Sequence, residues 1–460
     1  MARFLHSFIV ISIGKAVSIL TAGEGACQPF VLQIGNKLCA FQEFLAWAGR
    51  LHHIGTIARY VCRIYHIEHV GLLTLGVYAW PGRYARQTMT KALGELALIE
   101  RIRTGWGAGS RSGKTGRRIA LGMGDDCAIL RVPRGHEVLV TTDFTLEGRH
   151  FRRDWHSPES AGHRCLARGL SDLAAMGARP LAAFLSLALP GEMLANTEGQ
   201  RWVERFFAGM RSLGERFSVP LAGGDTAESP TGPGGGLVLA DIVLVGSAPA
   251  GRALRRSGGR LGDSLYVTGR LGGAAAELQA LAAGTKGSTV RRTAPGNALG
   301  FAVHPQLFPE PRTAVGQALL RRRLATAAID LSDGLSTDLA HLCRESGVGA
   351  EVEVDGLPIH PLARRAGERL DGDLGGSFDA ALRLVLDGGE DYELLFTAPA
   401  KVRMPRSVAG VKVTRIGRLV RGNAIMLVTG NGQRTPLKPG GWEHFRGPAK
   451  QRSAKAKPGG

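Results

Sequence analysis

The sequence predicts a mixed α/β or α+β protein whose patterned part is built from two halves. From Gly94 onward, apolar runs typical of β-strands alternate with longer amphipathic stretches typical of helices. A stretch rich in Gly, Ala and Arg at 247–258 separates these halves, which predicts domains at 89–250 and 251–446. With 460 residues and 44% hydrophobic content, the chain is long enough for two or three packed domains.

The elements can be placed from hydrophobic periodicity and from stop signals. A first helix is predicted just after Met89, where apolar residues fall on or near one helical face. Gly177 and Gly347 are typical residues beyond a helix C-terminus. Further helices are predicted at 159–176, 196–217, 272–283, 312–322, 334–346 and 378–386. Strands are predicted at 137–143, 182–190, 236–246, 264–269, 325–332, 350–355, 392–397 and 412–420. Gly-rich loops, expected to be mobile, are predicted at 284–297 and 371–377.

The two ends of the chain differ from this patterned part. Residues 1–88 contain only three acidic residues, and their basic and histidine residues recur without helical or strand periodicity. We expect this segment to be a mis-assigned extension, with translation starting at or near Met89, or else a natural extension of poor order. Residues 447–460 form a basic tail that buries too little apolar surface to order itself.

Charge and composition restrict the class of partner. The formal net charge of +19 favours an anionic partner such as a nucleotide, a phosphate ester, nucleic acid or an acidic lipid surface. Much of the excess positive charge lies in the two ends, which weakens the nucleic-acid interpretation. No run reaches the ~18 apolar residues of a membrane span. The six cysteines have neither CxxC nor Cys/His finger spacing, which favours buried thiols in a reducing cytoplasm over a zinc site or disulfides.

Aspartates are absent before position 125 and then occur repeatedly at turns. Asp residues compete with the backbone for hydrogen bonds, so a pair inside the Gly-flanked GMGDDC turn is not helix filler. Ligands bind at strand ends in α/β sheets, and several aspartates stand at such ends. The candidates are Asp126 in GMGDDC, Asp143 at the end of the strand EVLVTTD, Asp172 in GLSDLAAMGA, Asp225 in PLAGGDT, and Asp330 and Asp333 on either side of Ser332 in AIDLSDG.

Taken together, these carboxylates indicate a divalent-cation site. Four or more carboxylates in one cleft would repel each other and raise each other's pKa unless a hard cation lay among them. Magnesium prefers oxygen ligands and bridges carboxylates to substrate phosphates, so such a site would handle phosphoryl transfer. Gly224 would let the backbone approach a phosphate, and Ser332 precedes a helix whose first amides favour anions. Any single aspartate could equally be a helix N-cap or a turn residue.

The usual nucleotide-binding signatures are missing. No GxxxxGK[ST] loop occurs, because GAGSRSGKTG at 107–116 has the wrong spacing and no preceding strand, and we expect it to be a flexible basic loop. Neither a GxGxxG in a strand–helix context nor the protein-kinase motifs are present. The nucleotide must therefore be bound by another device.

Eight segments occur together and in order, and they carry a family resemblance. The segments are GMGDDCAIL, VTTDFTLEGRHF, LSDLAAMGARP, LAGGDT, GRALRRSG, AIDLSDGLSTDLAHL, GGEDYELLFT and GWEHF. Over residues 94–446 the chain resembles the thiamine-monophosphate kinases, which are related to aminoimidazole ribonucleotide synthetase. The resemblance implies two α/β domains, a homodimer joined through a barrel of sheets, and an active site in the cleft between the domains.

The resemblance also implies the reaction and its residues. The family phosphorylates thiamine monophosphate to the diphosphate with ATP and several Mg²⁺ ions. The implied magnesium ligands are Asp126, Thr141, Thr142, Asp143, Asp172, Asp225, Asp330 and Asp333. The implied contacts to ATP phosphates are Gly224, Arg256 and Ser332, and the implied thiamine-phosphate pocket is His150, Glu390 and Trp442. Asp143, Asp225, Asp330 and Arg256 are the residues expected to act in catalysis.

The chemistry of the residues agrees with this division. The acceptor is already a phosphate oxyanion, so no general base is required, and the main barrier is repulsion between two polyanions. Metal ions and Arg256 would neutralise that charge. Trp442 would offer a flat surface to a cationic ring, and Glu390 could pair with the same ligand. Packing roles for Trp442 and His150 and a solvated Arg256 stay open.

Two other functions stay open on the sequence. One is a sibling activity of the same superfamily that phosphorylates another small acceptor. The other is a basic nucleic-acid-binding protein, which rests on the +19 charge alone and lacks a basic stretch interleaved with aromatic residues. We expect the enzyme to have no membrane partner and no specific nucleic-acid partner.

Overall fold

The computed structural model divides the chain into two units, Met1–Thr88 and Met89–Gly460. The part of the chain that the structure describes consists of residues 8–13, 16–21, 31–34, 37–40, 93–110, 118–232, 235–285, 302–370, 377–442 and 445. In the first unit the described residues form two antiparallel hairpins. These are β1 (Phe8–Ile13) with β2 (Ala16–Thr21), and β3 (Val31–Ile34) with β4 (Lys37–Ala40).

The second unit begins with a helix and a four-stranded sheet. Its helices are α1 (Glu95–Ser110), α2 (Pro158–Ala175), α3 (Gly191–Ala195) and α4 (Thr197–Phe217). Its strands are β5 (Ile119–Leu121), β6 (Ile129–Leu130), β7 (His136–Leu146), β8 (Arg179–Leu189), β9 (Leu221–Glu228), β10 (Thr231–Gly232), β11 (Gly235–Gly236) and β12 (Leu239–Pro249). The sheet order is β7-β12-β8-β9, in which β8 and β9 are parallel and the other pairs are antiparallel.

The start of helix α2 is defined by its capping residues. The Ser157 side chain accepts a hydrogen bond from the Ser160 amide at 3.2 Å, and Pro158 occupies the first turn. Glycines let α2 and α4 approach closely, because a Cβ on Gly162 would stand 1.9 Å from the Phe206 carbonyl oxygen. The two helices cover one face of the sheet, and their contact forms much of the core.

The outer face of the four-stranded sheet, opposite these helices, is apolar and exposed. Strand β7 alternates between the two faces, as the period of two in a strand requires. Its outward residues Val138, Val140 and Phe144 are 51%, 61% and 59% exposed. Val243 and Val245 of β12 lie opposite Thr142 and Val140 and continue the same face.

The second half of the unit is an eight-stranded sheet with helices. After a 3-10 turn at Arg256–Gly258, its helices are α5 (Gly273–Ala282), α6 (Thr313–Arg321), α7 (Leu335–Ser346), α8 (Pro361–Leu370) and α9 (Ser377–Asp387). Its strands are β13 (Ser264–Thr268), β14 (Ala327–Asp330), β15 (Gly349–Glu353), β16 (Leu394–Ala398), β17 (Ser407–Val408), β18 (Val411–Val420), β19 (Ile425–Val428) and β20 (Arg434–Pro436). The sheet order is β14-β16-β13-β18-β15-β19-β20, with β17 paired to β18.

The predicted mixed fold is confirmed, and every predicted strand and helix of the second unit is present with bounds shifted by a few residues. Three differences stand out. The PLAGGDT segment, interpreted as a glycine turn, runs within strand β9, because its residues pair with β8. Helix α8 was missed. The stretch 107–116 was expected to be a loop, but α1 continues to Ser110.

Several expectations fall outside the described residues. These concern most of 1–88, the tail 447–460, and the Gly-rich segments at 286–301 and 371–376. Among the described residues, no helix is both long and apolar enough to span a membrane. Cys165 and Cys343 are buried free thiols as expected, but Cys127 is an exposed free thiol, because it lies in the GMGDDC turn rather than in a core element.

Candidate active site

Helix α2 places three charged side chains in one row at the junction of the two halves. Arg164, Arg168 and Asp172 follow each other at intervals of four residues, so they lie on the same helical face. This face meets strand β7 of the first half. It also meets the end of β14 and the GGEDYE segment of the second half, both of which supply polar partners to the row.

Three carboxylates, which we call the central carboxylates, gather at one end of this row: Asp143, Asp172 and Asp330. Asp172 accepts a hydrogen bond from the Thr141 hydroxyl. Asp330 accepts one from the Ser171 hydroxyl at 2.8 Å. Asp143 is held by Arg168, whose Nη2 and Nε lie 2.9 and 3.3 Å from Oδ1.

Burial and mutual repulsion make the charged state of these carboxylates unfavourable. Burial raises the pKa of Asp172, and the charge of Asp330 raises it further. Burial likewise raises the pKa of Asp330, with Asp338 and Asp143 adding to the effect. Asp338, on α7, has its pKa raised to about 7 by burial and by Asp333. Even Asp143, beside Arg168, has a raised pKa because burial outweighs that attraction. A cation bound among these oxygens would therefore favour their ionised state.

The other end of the row holds Glu390. Its carboxylate accepts hydrogen bonds from Arg164 at 2.7 Å, from Arg168 at 3.3 Å and from the Gln306 amide at 2.9 Å. Burial alone would raise its pKa, but the charges of Arg164 and Arg168 outweigh that effect and hold the pKa of Glu390 below its ordinary value. Glu390 is therefore a fixed, ionised carboxylate.

The backbone around Glu390 is strained. Glu390 and Tyr392 have φ angles of 57° and 49°, in the left-handed region that residues other than glycine seldom adopt. Hydrogen bonds from their amides to the carbonyls of Ser332 and Leu331, at 2.8 and 2.9 Å, hold this conformation. Such strain persists only where the surroundings enforce it, and it concentrates at functional sites.

The other two acidic residues of GGEDYE have structural partners. The Asp391 carboxylate accepts hydrogen bonds from the amides of Gly272 and Ala274, at 2.6 and 3.2 Å, and so caps the start of α5. Glu393 forms a buried ion pair with Arg312 and accepts a hydrogen bond from Thr268 at 2.6 Å. Only the first acidic residue of the motif faces the site.

The remaining residues predicted for the second half surround the same place. Ser332 and Asp333 follow Asp330 in the loop before α7, and the Asp333 carbonyl accepts the Trp442 amide at 3.0 Å. The Trp442 side chain is 53% exposed. Arg256 is exposed in the 3-10 turn, and its charge lowers the pKa of both Asp172 and Asp330, although burial dominates both shifts.

His150 lies close to Glu390 through Arg164. The Arg164 guanidinium donates both to Glu390 and, at 3.0 Å, to the His150 carbonyl. The His150 ring accepts the Leu146 amide on Nδ1 at 3.0 Å, so a neutral ring carries its proton on Nε2. The three predicted pocket residues His150, Glu390 and Trp442 are thus linked through Arg164 and the loop before α7.

A second acidic group lies beside a separate cavity of about 600 Å³. The GMGDDC turn and strand β9 line it, so Asp125, Asp126, Gly224 and Asp225 share this wall with apolar side chains of α1 and β8. Asp126 and Asp225 are exposed. A side chain at Gly224 is impossible without rearrangement, because a Cβ there would stand 1.9 Å from the Leu185 carbonyl oxygen and φ is +151°.

Within the described chain, these two groups do not form one cluster. Across the sheet, Asp143 on β7 pairs with Ile242 on β12, Ile242 with Leu185 on β8, and Leu185 with Gly224 on β9. Asp143 and Asp225 therefore lie three strand spacings apart, about 14 Å. Thr142 also points away from the central carboxylates, because it alternates with Thr141 and Asp143 along β7. Among the described residues, no three His, Cys, Asp or Glu side chains are already arranged around a metal position.

Sequence reasoning missed the cations and the amide that organise this site. Arg164 and Arg168 shortly precede the recognised LSDLAAMGARP segment, whereas Gln306 lies outside all recognised segments, and none of the three was assigned a role. The spacing of Arg164, Arg168 and Asp172 was the available signal, since residues four apart share a helical face. No comparable signal identifies Gln306, whose contact with Glu390 joins positions 84 residues apart.

Comparison with known proteins assigns this fold to a class. Two family models match the chain: AIR synthase related protein, N-terminal domain, over residues 124–248, and AIR synthase related protein, C-terminal domain, over residues 260–425. The chain therefore has the two-part architecture of the AIR synthase related proteins.

Comparison with individual proteins identifies the family within this class. Thiamine-monophosphate kinase of Salmonella typhimurium is 36% identical over 361 residues, which cover 78% of this chain and 100% of that protein. The crystal structure of thiamine-monophosphate kinase from Stenotrophomonas maltophilia is 34% identical with a TM-score of 0.58, covering 75% of this chain and 98% of that one. AaThiL complexed with AMPPCP and TMP is 29% identical with a TM-score of 0.54, covering 78% and 100%. The chain belongs to the thiamine-monophosphate kinase family.

The raised pKa values predict how stability depends on pH in the presence of a chelator. When the pKa of a carboxyl is higher in the folded than in the unfolded protein, the folded state binds its proton more tightly. The free energy of unfolding then falls as pH rises from the ordinary pKa of about 4 through the folded pKa. The free energy of unfolding, measured by urea denaturation in EDTA, should therefore fall between about pH 5 and pH 8. Asp172→Asn removes one repelling charge and should raise this free energy at pH 8 by at least about 1 kcal/mol.

Asp355→Asn is the matched control, because Asp355 is an exposed carboxylate outside this site. It should keep the wild-type pH dependence. An Asp172→Asn protein that is no more stable than wild type at pH 8 would contradict the repulsion described for the central carboxylates.

Proposed function

We propose that the protein transfers the γ-phosphoryl group of ATP to thiamine monophosphate, which yields thiamine diphosphate and ADP. The observation that carries the proposal is one row on α2 that joins the central carboxylates to a fixed Glu390, in a chain of the thiamine-monophosphate kinase family. AaThiL, which shares the fold, has been solved with AMPPCP, an analogue of ATP, and TMP.

The reaction requires that the two substrates be positioned and their charges neutralised, and it does not require a general base. A monophosphate acceptor carries its nucleophilic oxygen already ionised near neutral pH, so no proton has to be removed. The barrier is the approach of two polyanions, which fixed cations lower. Arg164, Arg168 and Arg256 supply such charges around the site.

The central carboxylates are suited to hold Mg²⁺. Their oxygens, with the Thr141 hydroxyl, form a donor set of the kind that Mg²⁺ prefers, and burial and mutual repulsion, which raise their pKa values, support the binding of a cation there. Asp333 would join them from the loop before α7. Asp126 and Asp225 are assigned to a second metal position on the β9 side, whereas Thr142, predicted as a metal ligand, lies on the outer face of β7 three strands away and is not assigned to either position. Bound Mg²⁺ would neutralise phosphate oxygens of both substrates.

The nucleotide and the acceptor are assigned to neighbouring parts of the site. Gly224, Ser332 and Arg256 would contact the phosphates of ATP, where the bare backbone at Gly224 permits close approach. His150, Glu390 and Trp442 would bind thiamine monophosphate. The exposed Trp442 ring offers a face to the cationic thiazolium, and ionised Glu390 offers it an opposite charge.

The proposal includes a homodimer formed through the outer face of the four-stranded sheet. Monomeric proteins seldom expose a contiguous apolar patch, and a second copy of the same face is a self-complementary cover. Val138, Val140 and Phe144 would lie at its centre. Nucleic acid and membrane are not part of the proposal. The cytoplasm is the proposed location, which suits the free thiols among the described residues.

Replacing a central carboxylate should abolish most of the activity. Asp143→Asn removes a proposed metal ligand and should lower kcat/KM for thiamine diphosphate formation by at least about 100-fold, since a bound metal contributes several kcal/mol to such a step. The assay measures thiamine diphosphate from ATP and thiamine monophosphate with and without Mg²⁺, and Asp355→Asn serves as control.

Wild-type activity that survives both chelation and Asp143→Asn would contradict the mechanism. ATP turnover that ignores thiamine monophosphate but responds to another small acceptor would contradict the substrate and favour a sibling activity.

Charging the outer face should dissociate the dimer. Val140→Glu buries a carboxylate in the proposed interface, so the mass measured by light scattering should fall from two chains to one. Leu261→Glu is the matched control, because Leu261 is 57% exposed outside that face. A wild-type protein that is monomeric at micromolar concentration, or a Val140→Glu protein that stays dimeric, would contradict the interface.

A further inference from the structure

Arg168 is the residue that touches both ends of the site. Its Nε and Nη2 donate to Oδ1 of Asp143, whereas Nη1 donates to Oε1 of Glu390 at 3.3 Å and to the Tyr392 hydroxyl at 2.8 Å. One planar group thereby ties a proposed metal ligand to a proposed acceptor ligand. A guanidinium has the rigid fork needed for this, and an ammonium does not.

The Arg168 side chain is partly buried and held in place within the site. Its side chain is 14% exposed, and those of Asp143 and Glu390 are each 23% exposed, so the bridge lies inside the site but within reach of small ligands. Arg164, one turn earlier on α2, already neutralises Glu390 and is fully buried. Arg168 is therefore the cation that contacts Asp143 directly.

This contact sets up a competition. The Asp143 oxygen that accepts two N–H groups from Arg168 has the electron pairs a divalent cation would use. A cation that binds Asp143 must displace the guanidinium or share the carboxylate with it. A charge-assisted hydrogen bond of this kind is among the stronger ones in proteins, so the competition is appreciable.

We propose that Arg168 is a positioning residue that acts as a resident cation on Oδ1 of Asp143, in competition with a divalent metal, and couples Asp143 to the acceptor pocket through Glu390. The guanidinium weakens the binding of divalent metal at Asp143. It also keeps Glu390 oriented for the acceptor. The inference rests on the proposed function for the identity of the acceptor, but the competition for Asp143 stands on geometry alone.

The proposal predicts opposite effects on the two ligands when the guanidinium is removed. In Arg168→Gln, the Mg²⁺ concentration for half-maximal thermal stabilisation, measured without nucleotide, should fall about 3- to 10-fold. The dissociation constant for thiamine monophosphate, measured by calorimetry, should rise about 5-fold or more. Free Mn²⁺ counted by electron paramagnetic resonance provides a second measure of the metal constant.

Three comparison variants separate this role from a merely structural one. Arg168→Lys keeps a charge near Asp143 but loses the bridge, so its metal constant should stay near wild type while acceptor binding weakens. Glu390→Gln should weaken acceptor binding without tightening the metal. Arg205→Gln breaks an exposed ion pair between Arg205 on α4 and Glu159, outside the site. It should change neither the metal constant nor the dissociation constant for the acceptor.

The outcomes are distinct. Unchanged or weaker Mg²⁺ and Mn²⁺ binding in Arg168→Gln would overturn the proposal, as would tighter metal binding with unaltered acceptor binding. If Arg168→Gln does not fold, Arg168→Lys decides the matter, since unaltered acceptor binding in that variant overturns the bridge. A wild-type protein that makes no thiamine diphosphate would refute the proposed function, yet the nucleotide-free metal titrations would still test the competition.

Discussion

The site depends on one constraint: negative charges that the fold buries together must be compensated by cations. Asp143, Asp172 and Asp330 converge where water reaches poorly, and their raised pKa values reflect the cost. The protein supplies part of the compensation itself through Arg168 and the more distant Arg256. What is left over is the demand that a divalent cation and its phosphate ligands would satisfy.

The two halves of the second unit matter because neither contains the site by itself. The row on α2 belongs to the first half, whereas Asp330 and Glu390 belong to the second. The Ser171–Asp330 hydrogen bond and the Arg164–Glu390 ion pair therefore join the halves at the site. Any change that separates the halves would also split the central carboxylates, because Asp330 would part from Asp143 and Asp172.

Most of the fold could be predicted from the sequence, since period-two and period-3.6 patterns identified most of the longer strands and helices of the second unit, although helix α8 was missed. Strand β9 was missed because its Gly-Gly-Asp segment has a turn composition, and only pairing with β8 extends it. Glu390 could be predicted by family resemblance, but its partners could not. Gln306 contacts Glu390 although the two residues are 84 positions apart in the sequence. The role of Arg168 becomes evident only in the folded chain, where it contacts both Asp143 and Glu390. Likewise, aspartates that share a motif pattern were expected in one cluster, but strand spacing separates Asp225 from Asp143.

The most direct test of the account is to locate a divalent cation in crystals of the protein grown or soaked with Mn²⁺, by anomalous diffraction. The account predicts an anomalous peak coordinated by at least two of Asp143, Asp172 and Asp330, with metal–oxygen distances of about 2.1 Å. Mn²⁺ that binds only elsewhere, with these three carboxylates left to hydrogen bonds from the protein, would contradict it.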